Sequence, residues 1–361
     1  MIGIRPFSLN DIPQVAALHR EAMATSPSMT TALMETYSEW LTATFLESPM
    51  RLDGLESIVY EEDGEVVAFL GVLARQVSIG GKIYRASATS NFCALPARRG
   101  RLGLQIAKEH VARSSDLTFI DELQDRPRRV FEFAGMLPMP QSVRWTLPLQ
   151  PGQHVLSLVE HRVPKLLTAA VRPATHMLDR LAARVSRSPF HYKASELTSE
   201  QLTPADLSRL LMEFGTPEDL RPVTTDGSTA WLVERARRMT QHGELHMIAL
   251  RDSDGDVVGW YVYYANRGRP SDVLQLVATR AAAPQVLDHL ARHAGARGVV
   301  SLTGTLDPVF LSALSQHWAV ISPRETRWMM VYSARSEILE AFWRCRLLLS
   351  RLDGEWCQHL F

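Results

Sequence analysis

Two stretches of the chain, Asp63–Leu73 (DGEVVAFLGVL) and Asp254–Tyr264 (DGDVVGWYVYY), repeat one pattern: an Asp-Gly pair, then a run of β-branched and aromatic residues. An Asp-Gly pair between two such runs marks a tight hairpin. One hairpin is a common feature, but the order of elements around both copies is also shared. Helical stretches precede the hairpin. A long strand, a helix, a short strand, a short helix and a closing strand follow it. A chain of 361 residues is long for a single core. The repeat therefore predicts two tandem domains of one kind, each a mixed α/β (α+β) fold with a mostly antiparallel central sheet flanked by helices.

The first half reads as follows. IGIRPF is a strand, and NDIPQVAALHREAMA a helix with Asn10 or Asp11 as N-cap and Pro13 just inside it. A second helix spans about Thr30 to Leu46, with Leu33, Tyr37, Trp40, Leu41 and Phe45 on one face. After the hairpin, KIYRASATSNFCAL is a long strand ending at Pro96, and a helix starts at about Leu102. DLTFIDE is a short strand, RPRRVFEFAGM a helix stopped by Gly135, and SVRWTLPL the closing strand. In the second half SDVLQLVAT is the long strand, APQVLDHLARHAGARG the helix after it, and TRWMMVYS the closing strand. The expected domains are 1–150 and 192–335, joined by a helical linker at 151–191. A helix and tail at 336–361 follow, with the tail's aromatic residues docked on a domain.

Lys plus Arg and Asp plus Glu both number 39, so the chain lacks the overall basic excess of a general nucleic-acid binder. The linker departs from this balance through Lys165, Arg172, Arg180, Arg184 and Arg187. It is either a connecting hairpin with a solvated basic face or a weak attachment to an anionic membrane surface. The three cysteines, Cys93, Cys345 and Cys357, and the twelve histidines show no metal-ligand spacing, so no metal is expected. An odd cysteine count suits a reducing compartment. The first residues lack a signal pattern, and no apolar run reaches bilayer length. A soluble, cytoplasmic protein is the expectation; the oligomeric state is open.

The stretch LPARRGRLGLQIAKEH, Leu95 to His110, combines a proline exit from a strand, arginines, two glycines and a helical apolar pattern. Backbone amides at such a helix start can hold a phosphate. With the order of elements, this stretch resembles the GNAT superfamily of acyl-CoA-dependent N-acyltransferases, in a tandem form of bacterial type. The family continues its fourth strand into Arg/Gln-x-x-Gly-x-Gly/Ala. Arg98-x-x-Arg101-x-Gly103 fits that frame, with an arginine for the middle glycine. A second frame starting at Arg99 puts leucine at both later glycine positions.

The resemblance implies an acyl-CoA co-substrate, acetyl-CoA or a longer one. Its pyrophosphate would lie on Arg98, Arg99, Gly100, Arg101, Leu102, Gly103 and Leu104, and its thioester near Phe92, Cys93, Ala94 and Leu95. Many members carry a tyrosine that protonates the leaving thiolate; Phe131 stands at that place. At the end of the fifth strand, Asp121 or Glu122 is the candidate base, one of them pointing inward by alternation; the pair is otherwise a solvated strand end or a helix N-cap cluster with Asp125. Cys93 reads as a buried strand cysteine. The second half has no glycine in its equivalent stretch, VATRAAAPQVLDHL, although Pro284 suits the first helical turn. It is expected to lack its own coenzyme and to brace the first half or shape its substrate groove.

Three functions compete. The first is acyl transfer to an amine of a small molecule, sugar or peptide. The second is aminoacyl transfer of the FemAB type, which also uses two GNAT-like halves. The third is a non-enzymatic binding protein with two degenerate domains.

Overall fold

The computed structural model describes residues 2–22, 31–113, 115–159, 188–322 and 327–354, together with part of 171–187. Its strands, in chain order, are β1 Ile2–Pro6, β2 Ile58–Glu62, β3 Glu65–Ile79, β4 Lys82–Ala94, β5 Leu117–Leu123, β6 Leu137–Pro138, β7 Arg144–Pro148, β8 Thr198–Gln201, β9 Arg221–Pro222, β10 Glu244–Arg251, β11 Val257–Ala265, β12 Pro270–Ala278, β13 Ser301–Thr305, β14 Val320–Ser322 and β15 Trp328–Tyr332. They form two mixed sheets flanked by helices. The first runs β1-β2-β3-β4-β5-β15-β6, with β9 paired to β3; the second runs β14-β7-β13-β12-β11-β10-β8.

The closing strand of each half is exchanged. Arg144–Pro148, expected to finish the first sheet, lies in the second between β13 and β14. Trp328–Tyr332, expected to finish the second, lies in the first between β5 and β6. The pattern of a strand tells which faces it buries and says nothing of which sheet edge accepts it. Accordingly, two compact units interleave along the chain. One is Met1–Pro140 with Ser208–Arg235 and Thr326–Phe361; the other is Gln141–Leu207 with Ala236–Glu325. They differ from the consecutive spans 1–150, 151–191, 192–335 and 336–361 read from the repeat.

In the first unit, α1 (Ile12–Ala22) and α2 (Thr31–Leu41) cover one face of the sheet. Tyr37, Trp40, Leu41 and Phe45 are buried there with Phe69, Leu73, Phe119 and Val331. A 3-10 turn, Leu9–Asp11, leads into α1 and is capped by Ser8: the Ser8 N–H and hydroxyl both donate to Asp11 at 2.8 Å, and Arg5 chelates the same carboxylate. α3 (Arg99–Val111) and α4 (Asp125–Phe133) cover the other face over Leu70, Val72, Ile120 and Met330. The exchanged β15 is tied to α4 by the Trp328 indole donating to Asp125 at 2.6 Å and by Arg128 lying 4.3 Å over its ring.

The hairpin turn at Asp63-Gly64 puts both residues in the left-handed region, φ 52° and 89°, as a two-residue turn between twisted strands requires. Of the linker, Pro151–Val159 is helical, as are the described residues between 171 and 184. Lys165, Arg172, Arg180 and Arg187 lie outside the described residues, as do Trp356 and Phe361 of the tail. No helix among the described residues is long and apolar enough to cross a membrane.

Candidate functional site

The first sheet forks. β4 and β5 are parallel and joined only at Ala86–Leu117, Ser87–Thr118 and Ala88–Phe119. Beyond that rung they continue apart, β4 to Ala94 and β5 to Leu123. β4 stays paired with β3 through a bulge: Cys93 faces Phe69, and Ser90 faces Gly71. Asn91 absorbs the extra residue at φ 51°, a conformation that asparagine tolerates better than most residues. A bulge leaves backbone groups of its strand unmatched by the partner strand and turns them elsewhere. Gly71 is needed opposite, because a Cβ there would lie 2.6 Å from the Phe45 ring and 2.8 Å from the Ser90 carbonyl oxygen.

Two buried histidines hold this strand. His19 of α1 donates from Nε2 to the Asn91 carbonyl at 3.3 Å, and burial pushes its pKa down to about 4. His110, in the last turn of α3, bonds the Thr89 hydroxyl at 2.8 Å; burial takes its pKa to about 3. Both rings are neutral at pH 7. Neither was singled out in the sequence, where a histidine bonded to a residue far along the chain carries no local signal.

β4 leads through the turn Pro96–Arg98 directly into α3. The N-cap residue, Arg98, makes no side-chain capping bond. The N–H groups of a first helical turn have no intrahelical partners, and with the helix dipole they present a positive end. Gly100, Arg101 and Gly103 all have negative φ, so the arginine in place of the middle glycine meets no backbone penalty. A Cβ at Gly100 would meet nothing within 4 Å; one at Gly103 would touch the Phe92 ring at 3.4 Å. Arg101 is exposed, Leu102 buried and Leu104 half-buried. Arg98 is exposed and pairs with Glu62 at 3.0 Å. Of Arg99 only the backbone is described. On the fork itself, Cys93 is buried and in no disulfide, Ala94 is buried, and Phe92 and Leu95 rest half-buried on the core under α3. Phe131 of α4 is fully enclosed, its ring 5.4 Å from that of Phe92.

Asp121 and Glu122 lie across the fork, at the end of β5. Glu122 is buried and gripped by two guanidinium groups, Arg351 at 2.8 Å and Arg327. Asp121 is half-buried against the backbone of Gly354, where a side chain would collide with its carboxylate. A strap, Ser350–Gly354, thus crosses this end of the sheet. It is folded on itself by Asp353, which accepts from the Ser350 N–H and hydroxyl at 2.9 and 3.0 Å. Asp353 also binds Arg75 of β3 at 2.6 Å. The tail's aromatic residues, expected to dock on a domain, lie outside the described residues; the described part is held by these ion pairs and by buried Leu348 and Leu352.

The second unit has the same plan. β12 and β13 pair in parallel over Pro270–Ser301, Ser271–Leu302 and Asp272–Thr303, and β12 bulges against β11 at Val262/Tyr263. Pro284 is in the first turn of the following helix, Ala283–Ala296. At the last rung, however, the Thr303 hydroxyl donates to Asp272 at 3.1 Å, and Arg144 reaches the same oxygen at 3.5 Å. Side chains thus bridge the second fork at its last rung; in the first, the Ser87 and Thr118 hydroxyls lie 3.2 Å apart one rung before the strands part.

A forked sheet with a bulged fourth strand running into a helix start is the fold of the GCN5-related N-acetyltransferases, present here twice. Solved structures agree over nearly the whole chain. A probable N-acyltransferase from Enterococcus faecalis V583 matches with a TM-score of 0.57 at 13% identity, over 95% of this chain and 74% of that one. A GCN5-related N-acetyltransferase from Anabaena variabilis matches with a TM-score of 0.58 at 14% identity, over 94% and 75%. Saccharomyces cerevisiae N-myristoyltransferase with bound myristoyl-CoA matches with a TM-score of 0.51 at 11% identity, over 92% and 78%. No protein-family model matches the sequence, and no curated protein matches it. Identities this low establish the shared fold, as the sequence resemblance implied.

Proposed function

We propose that the chain is an acyl-CoA-dependent N-acyltransferase working from its first unit. The observation that supports this most is the open fork whose bulged strand runs straight into the uncapped start of α3. In this reading the backbone N–H groups at the start of α3, between Arg98 and Leu104, with the charges of Arg98 and Arg101, hold a pyrophosphate. Backbone amides of Phe92 to Leu95 polarise the acyl carbonyl.

An acceptor amine bonds to the acyl carbon while the C–S bond breaks. Asp121 takes the amine proton, directly or through water. The ion pairs of Glu122 make it the group that positions the strap. The leaving thiolate takes its proton from solvent, because Phe131 offers none. The acceptor is an amine of a small molecule, sugar or peptide.

Calorimetry with acetyl-CoA and longer acyl-CoAs tests the reading. One site per chain is the expected result, because the second fork is bridged by Asp272, Thr303 and Arg144. Two equivalent sites would contradict it. Silence with every acyl-CoA would favour the FemAB-type or binding alternatives.

A further inference from the structure

The hairpin joining β3 to β4 lies at the opposite end of β4 from the fork. At about 3.3 Å per residue, Tyr84 is roughly 30 Å along the strand from Ala94. Three segments far apart in sequence meet at this hairpin, all within the first unit. The Gly80 N–H donates to the Pro217 carbonyl at 2.7 Å, and the Leu220 N–H to the Arg346 carbonyl at 2.9 Å. β9, directly after Leu220, pairs with β3. The helix Ser336–Trp343 turns Glu337, Glu340 and Ala341 to one side. These segments enclose a pocket of about 360 Å³, which suits a small ligand.

The wall of the pocket is amphoteric. Ile79, Tyr84 and Ala341 supply apolar surface, the last two being buried. Three cations (Lys82, Arg344 and Arg346) stand with three carboxylates (Glu218, Glu337 and Glu340). Arg344 already pairs with Glu340 at 2.7 Å, and Arg346 with Glu218 at 3.5 Å. That leaves Lys82 and Glu337. The Glu337 carboxylate accepts its own backbone N–H and the Tyr84 hydroxyl, the latter at 2.8 Å. These bonds hold its pKa below the usual glutamate range, so it is charged at pH 7. Lys82 is exposed and near enough to favour that charge. Its ammonium nevertheless pairs with no carboxylate among the described residues.

A ligand of one sign meets repulsion as well as attraction in such a wall. A zwitterion can offer a carboxylate to Lys82 and an ammonium to Glu337 at once. We propose that this pocket binds a free apolar α-amino acid, its carboxylate on Lys82, its ammonium on Glu337 and its side chain against Ile79 and Ala341. The proposal is independent of the acyltransferase reading, because it uses no residue of the fork.

The test is saturation-transfer NMR on the full chain, titrated with L-leucine and L-phenylalanine. Saturable binding of at least one is the expected result. The analogues that keep the side chain and one charge are isocaproate and isopentylamine for leucine, hydrocinnamate and phenethylamine for phenylalanine. Each binds about tenfold or more weakly than its amino acid, having lost one charge-assisted bond. Lys82→Met and Glu337→Gln each weaken amino-acid binding by about tenfold or more. Lys82→Met melts at the wild-type temperature, since the side chain is exposed and unpaired, and Glu337→Gln keeps an acceptor for Tyr84. Three results would each overturn the proposal. The first is absence of saturable binding by either amino acid. The second is equal binding of an analogue with one charge. The third is binding that survives both substitutions, and a loss in Asp121→Asn instead would place the amino acid at the fork.

Discussion

Arg75 and Asp353 meet with side chains only 3% and 4% exposed, so neither charge has water to fall back on. Removing one partner of such a pair strands the other and costs about 3–5 kcal/mol. Asp353→Ala should therefore lower the urea-derived stability by that order. The double change Asp353→Ala with Arg75→Met should recover most of the loss; equal losses in both would mean that the pair is not coupled. In the first unit His19 and His110 contribute to the pH dependence. Their folded pKa values, about 4 and about 3, lie below the unfolded value of about 6.5. Below pH 6.5 the unfolded chain binds protons that the folded chain refuses, so stability is full above that point and falls as pH drops toward 4. The loss is on the order of 3 kcal/mol per histidine at the acid end. His110→Gln should flatten the pH slope of denaturant melts between pH 6.5 and 4; an unchanged slope would show that His110 is not the group responsible. At the fork, Asp121→Asn should slow turnover by roughly 10²–10⁴-fold if it takes the amine proton, with coenzyme affinity unchanged. Strand alternation in the sequence reached Asp121 and Glu122. It could not reach Arg327 and Arg351, which come more than two hundred residues later.

At the scale of elements, α3 decides whether the fork holds an anion. Its helical apolar pattern after Pro96 and its two glycines were legible, because they follow from local spacing; the helix begins at Arg99, ahead of the expected Leu102. What an arginine at position 101 does was not, since that depends on φ; in the structure the position is helical and exposed. Gly103 is the sensitive residue. A methyl there touches the Phe92 ring at 3.4 Å and is accommodated, whereas the branches of a valine press into Phe92 and Val130 and move the strand against the helix. Gly103→Ala should keep acyl-CoA binding, and Gly103→Val should abolish it in a chain that still folds, at a stability cost of about 1–3 kcal/mol. Full binding by the valine variant would place the ligand elsewhere. Phe131 was readable as a missing proton donor, but its enclosure was not. A tyrosine there puts a hydroxyl into an apolar core, at a cost of about 1–3 kcal/mol.

At the scale of the molecule, the repeat announced two like domains, and the element order around each hairpin held. The exchange of closing strands was hidden because both halves end in similar strands and offer similar open edges. It has a consequence that consecutive domains would not have. Trp145 falls early in the chain, yet its ring packs on Gly304 of the second sheet, where a Cβ would lie 2.6 Å away, and its indole donates to the Thr305 carbonyl at 3.0 Å. Met330 falls late, yet it is fully buried in the first unit under α3 and α4. Truncating either side chain to alanine removes about 2–5 kcal/mol. The loss is felt by the unit that buries it, because local opening follows cooperative packing units and not sequence position. In amide hydrogen exchange, Trp145→Ala should speed exchange in β11, β12 and β13 and spare β2 to β4. Met330→Ala should speed β4 and β5 and spare β10 to β12. The reverse assignment, with Trp145→Ala loosening β4 and β5, would mean that the strands close their own halves.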